Sequence, residues 1–176
     1  MIGRASIARM ADAPKTPKTP KTLWYVVGCL ALAALAVPCI GILAAIAIPA
    51  FVNYTRRAKT AEARANIGSI RSSLEATCTN AGGVLPAALT PTLAAPGPQR
   101  QLATLDPAWD AYGLVGGDPM YYAYSIERPD GSSALVVAEG DLDGDGVRSR
   151  FEVRCTSAGG SSGCACGELS VTNELE

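Results

Sequence analysis

No charged residue stands between Lys21 and Arg56, and Leu23 to Phe51 forms one apolar run of 29 residues. As a helix this run would extend about 44 Å at ~1.5 Å per residue, whereas about 20 residues cross the hydrocarbon core of a bilayer. Part of it must therefore tilt, protrude or pack on other helices. Pro38 and Pro49 each remove a helical hydrogen bond, which predicts a kink or a loosened turn. Cys29 and Cys39 lie inside the run and read there as small apolar residues.

Beyond Arg56 the pattern changes without a break. Ala63, Ile67, Ile70 and Leu74 follow one another at steps of four, three and four, a single apolar stripe, with Arg64, Arg71 and Glu75 off it. This predicts that one helix leaves the bilayer and continues into water, where its stripe covers a core. Asn80-Ala81-Gly82-Gly83 should end it. Before the run, residues 1–22 hold Arg4, Arg9, Lys15, Lys18 and Lys21 against Asp12, with a Pro-Lys-Thr repeat. They read as an extended, basic, cytoplasmic leader.

The remaining residues form the part that could fold in water. From Tyr54 onward ten basic residues face fifteen acidic ones. A domain of that sign is a poor candidate for sequence-independent nucleic-acid binding, which needs clustered cations. The chain contains no histidine, so Ser-His-Asp and Cys-His catalysis are excluded, and no enzyme is expected.

Residues 80–119 are rich in Pro, Gly and Ala and read as a long loop, with a short helical turn near 98–105 and with Trp109 and Tyr112 anchoring it to the core. Three strands are expected after it, at 120–127, 133–139 and 151–156, the first two joined by a turn at Arg128-Pro129-Asp130-Gly131, with a possible edge strand at 169–171. The fold class that follows is α+β: a long N-terminal helix, membrane-spanning and then amphipathic, packed on a small antiparallel sheet. The segments are 1–22, 23–52, 53–79, 80–119 and 120–176.

Four cysteines, Cys78, Cys155, Cys164 and Cys166, lie outside the apolar run. In a small Gly-rich exported domain they predict two disulfides. Cys164 and Cys166 are too close to pair with each other, so each should bond to Cys78 or Cys155. The spacing lacks the Cys-x-x-Cys pairs of a zinc site.

Asp141-Leu142-Asp143-Gly144-Asp145-Gly146-Val147-Arg148-Ser149-Arg150-Phe151-Glu152 fits Asp-x-Asp-x-Asp-Gly-x5-Glu. Calcium takes six to eight hard oxygens. The expected ligands are Asp141, Asp143, Asp145, the Val147 carbonyl, Ser149 through water, and Glu152 with both oxygens. Strands rather than helices flank the loop, so a bound Ca²⁺ would be structural.

The passage Gly41-Ile-Leu-Ala-Ala-Ile-Ala-Ile-Pro-Ala-Phe51, followed by a charged amphipathic continuation, resembles the N-terminal helix of type IV pilins and type II secretion pseudopilins. The close resemblance covers Val37 to Leu74. It implies a filament subunit with a pilin-like fold, held in the bacterial inner membrane with its N-terminus in the cytoplasm and its domain in the periplasm before assembly. It implies like or related subunits, the inner-membrane assembly machinery and the lipid bilayer as partners. Gly41, Ala44, Ala45, Ala47 and Pro49 would lie in the packed filament core, small side chains allowing close approach. Family members are cut after a Gly and carry a Glu five residues further on; cleavage here would leave Gly28 or Cys29 first, with Leu32 or Ala33 where the Glu stands. Val26-Val27-Gly28-Cys29 also matches a lipobox, although the apolar stretch before it is short for a signal sequence. Pseudopilins carry a calcium site in their C-terminal region, in keeping with the acidic loop. The alternative is a calcium-stabilised binding domain that stays anchored and never assembles.

Overall fold

The computed structural model describes residues 20–103, 105–157 and 163–176. Most of the expected leader lies outside them, but its last residues do not: the helix α1, Lys21–Asn80, begins two residues before the apolar run. The helical assignment passes through Pro38 and Pro49. The chain divides into two compact units, Met1–Ala47 and Ile48–Glu176.

In the first unit, α1 from Lys21 to Ala47 turns apolar side chains outward on every side. Trp24, Leu30, Leu35, Ile40 and Ile46 are all exposed, and no residue of the most apolar 18-residue stretch is buried. By length and composition α1 is long and apolar enough to cross a membrane.

In the second unit α1 has two faces. Thr60, Ala63, Ile67, Ile70, Leu74 and Cys78 are buried, the expected stripe lengthened by one residue at each end. Each fully buried Ile or Leu contributes about 1.5–3 kcal/mol relative to exposure. The stripe meets the inner face of an antiparallel sheet made of β3 (Ala123–Asp130), β4 (Ser133–Gly140), β5 (Ser149–Ser157), β6 (Cys164–Cys166) and β7 (Ser170–Thr172), in which both β6 and β7 pair with β5. Ala134, Val136, Ala138, Phe151, Val153 and Cys155 face the core from alternate positions. Tyr122 meets Phe151 edge to face at 5.6 Å between ring centres.

The connecting loop departs from expectation. Residues 101–102 form β1, Gln101–Leu102, paired with β2, Pro119–Met120. The helical turn comes later, as a 3-10 helix at Pro107–Tyr112. Asp106 fixes its start by accepting the Ala108 N–H at 2.9 Å, and Pro107 supplies a first position that needs no N–H donor. Trp109 and Tyr112 are buried as anchors. Arg128 ties the loop to the β3–β4 hairpin, donating to the carbonyls of Leu85, Pro86, Gly131 and Ser133 at 2.7–3.2 Å.

Cys78 is bonded to Cys164, and Cys155 to Cys166. The first closes a separation of 86 residues and fastens the end of α1 to β6; the second, with a separation of 11, joins registered neighbours on β5 and β6. Loop-closure entropy assigns about 4.6 kcal/mol to the long loop and about 2.8 kcal/mol to the short one. C78A/C164A should therefore lower the thermal midpoint of the full chain in detergent more than C155A/C166A does, as read by circular dichroism.

Candidate functional site

The acidic loop joins β4 to β5. Gly140, at its entrance, must lack a side chain because a Cβ there would run into the Tyr122 ring. Gly144 and Gly146 take φ of 80° and 89°, the left-handed region that folds the loop back on itself. Aspartates then hold the turn: Asp141 accepts the N–H of Gly144 at 2.7 Å and of Gly146 at 3.2 Å, Asp143 that of Asp145 at 3.3 Å, and Asp145 that of Val147 at 2.7 Å. One carboxylate oxygen from each of Asp141, Asp143 and Asp145 lies within 4.8 Å of the other two. Oxygens about 2.4 Å from one common centre stand at most about 4.8 Å apart, so three such oxygens could share one metal ion.

Two other residues of the expected ligand set, Ser149 and Glu152, lie outside the loop. β5 begins at Ser149, so Ser149 and Glu152 belong to the ladder, opposite Gly140 and Val137. Strand alternation turns Ser149 inward, where it is buried and donates to the Gly140 carbonyl at 3.2 Å. Glu152 points to the outer face and accepts from Arg150 Nε at 3.0 Å. Arg150 also reaches Glu139 at 2.8 Å and Glu127 at 3.5 Å, and Arg148 reaches Glu139 at 2.9 Å. Glu152 is thus neutralised by an arginine instead of closing a metal shell. Val147 is exposed, with its N–H turned to Asp145.

Two other residues join the loop from far along the chain. Arg56 of α1 places Nη2 3.0 Å from Asp143 and donates from Nη1 to the Leu175 carbonyl at 3.2 Å. Glu176 comes beside Asp143 and Asp145. Its carboxyl is pushed above the ordinary range, first by burial and then by repulsion from Asp143 and Asp145. At Asp143, burial works upward, but the Asp145 N–H and the Arg56 charge outweigh it, and its pKa falls below the usual value. Nothing in the loop's own sequence marks Arg56 or Glu176 as its neighbours. Four carboxylates and one guanidinium leave an excess of three negative charges, a cluster able to hold a hard cation.

Tyr122, below the loop, has its hydroxyl buried without a well-formed hydrogen bond. Burial pushes its pKa up to about 12, although nearby Ser149 works the other way. It stays neutral at physiological pH and serves packing.

Gly28, Cys29, Cys39, Gly41, Ala45, Ala47 and Pro49 lie on exposed surface of α1, and Ala44 is half-buried. Cys29 and Cys39 are free thiols. Comparisons with protein-family models, with curated proteins and with solved structures returned no match.

The opposed shifts have a definite sign. Lowered in the folded state, Asp143 stabilises it above the carboxylate range and loses that contribution as pH falls through its folded pKa. Raised in the folded state, Glu176 favours folding when protonated and loses that contribution as pH rises through its folded pKa. Carboxyl-carbon NMR of the full chain without added metal should find Glu176 titrating above Asp143 by more than their ordinary difference. R56Q should raise Asp143.

Proposed function

We propose that this chain is a structural subunit of an envelope-spanning filament of the type IV pilus or type II secretion pseudopilus kind, inserted in the inner membrane before assembly. The observation that carries the reading is the apolar half of α1. Its side chains face outward all round and none of its most apolar stretch is covered by the chain itself. In water such a surface is untenable. Lipid satisfies it before assembly, and the same helix from other copies satisfies it afterwards. Gly41, Ala45 and Ala47, with nothing of the chain within 4 Å of a Cβ added at Gly41, leave room for helices to approach closely. The resemblance of Gly41 to Phe51 to the pilin helix supports the same reading.

Two fractions decide between filament and anchor. Sheared extracellular filaments should contain this chain with an N-terminus at Gly28 or Cys29, by intact mass and terminal sequencing. A full-length chain confined to the membrane overturns the filament and leaves the anchored binding domain.

Within that reading the acidic loop holds a structural Ca²⁺ through Asp141, Asp143 and Asp145, with Glu176 as a neighbouring carboxylate. The cation would supply the positive charge that Arg56 alone does not. Three carboxylates short of a full protein shell fit a weak site, of the kind that fills at the millimolar calcium of external fluids. Ten times the dissociation constant would raise stability by about 1.4 kcal/mol. Millimolar CaCl₂ should therefore raise the thermal midpoint of the full chain where MgCl₂ does not, and D145N should abolish the effect. E152Q should leave it intact.

A further inference from the structure

A recess opens between α1 and the small β1–β2 sheet. Its volume is about 300 Å³, and Glu62, Asn66, Arg100, Leu114, Asp118 and Met120 are among its lining residues. Glu62 stands at the base of its polar side: Oε1 accepts the Tyr121 N–H at 2.8 Å, and Oε2 lies 3.5 Å from Arg100. Asn66 spends its amide N–H on the Tyr124 hydroxyl at 2.9 Å, which leaves its carbonyl oxygen as an acceptor. Asp118 is exposed and has no hydrogen-bond or ion-pair partner among the described residues. Two carboxylates against one guanidinium leave the recess one negative charge in excess, with acceptors in surplus over donors. A basic side chain fits that balance.

The second unit offers one such side chain. Among the described residues 48–176, every Lys or Arg but one reaches an acid, a carbonyl or an aromatic ring. The exception is Arg57, exposed on α1 with no partner for its side chain. It precedes Glu62 by five residues, which places it roughly 140° around the helix and about 7.5 Å along it. The donor and the acceptor therefore lie on different faces of the same helix. A contact between them is heterologous, and heterologous contacts propagate rather than close as two-fold dimers.

We propose that Arg57 of one copy docks into the Glu62–Asp118 recess of the next. The pairing sets the axial offset between parallel copies at a little more than one helical turn. The proposal rests on the filament reading and supplies it with a register, which apolar helices sliding on one another do not provide.

The test uses the full chain with Arg57 kept and a photoreactive benzoylphenylalanine in place of exposed Ala61, one helical turn further along α1, illuminated in sheared filaments grown from mixed ¹⁴N and ¹⁵N subunits. The crosslink should join two isotopically different copies and map to residues 114–120. In parallel, R57E and D118R should each lower filament yield by about fivefold, the scale of one exposed ion pair, and the double variant should recover most of it. Intact Cys78–Cys164 pairing, by peptide mapping, establishes that each variant has folded. Crosslinks elsewhere or to another protein, single variants without effect, or a double variant no better than either single one overturn the docking while filaments persist. If the unaltered chain forms no filaments, the filament reading falls first and the docking with it.

Discussion

The second unit, Ile48–Glu176, depends on one contact, the stripe of α1 against the inner face of the sheet. Ile67, Ile70 and Leu74 on the helix and Val136, Phe151 and Val153 on the strands belong to one buried cluster. Neither side is viable alone. A sheet with one apolar face needs a cover, and an amphipathic helix needs a surface on which to bury its stripe. Everything else is arranged around this layer. The 3-10 helix presses Trp109 and Tyr112 into its margin, and the Cys78–Cys164 bond fixes the end of the helix to the sheet.

The outer face of the sheet follows a different logic. Val137 and Leu135 are buried on the central strand although the helix is on the other side. Their cross-strand neighbours are Ser125, Glu127, Glu152 and Arg154, and the adjoining Arg150 reaches Glu127, Glu139 and Glu152. Long charged side chains lie over the two aliphatic ones with their heads paired to each other, so the stems exclude water while the charges remain wet. The same network claims Glu152. A carboxylate beside a triply engaged arginine, on a ladder position facing away from the loop, is not free to join the aspartates.

The legible features were those with a local period. The stripe of α1 and the β4 strand follow from residues within a few positions of one another, and the pairing class of the cysteines from the nearness of Cys164 and Cys166. What escaped was decided at a distance. The twelve-residue acidic pattern takes no account of where a ladder begins, and here β5 claims its last four residues. β6 is three residues long and owes its place to two disulfides, so no propensity marks it. Arg56 and Glu176 reach the loop from 87 and 33 residues away from Asp143, separations at which sequence carries no pattern.

The bond from Cys78 to Cys164 also orders events in time. A chain made from its N-terminus presents the helix and its thiol first, and the matching thiol 86 residues later. Through that interval the stripe has no sheet to cover, and Cys78 has no native partner. The end of the helix can be sealed only after β3, β4 and β5 have been made. That closure thus reports that β3, β4 and β5 are present, and a chain stopped short of β6 would leave its helix unfastened.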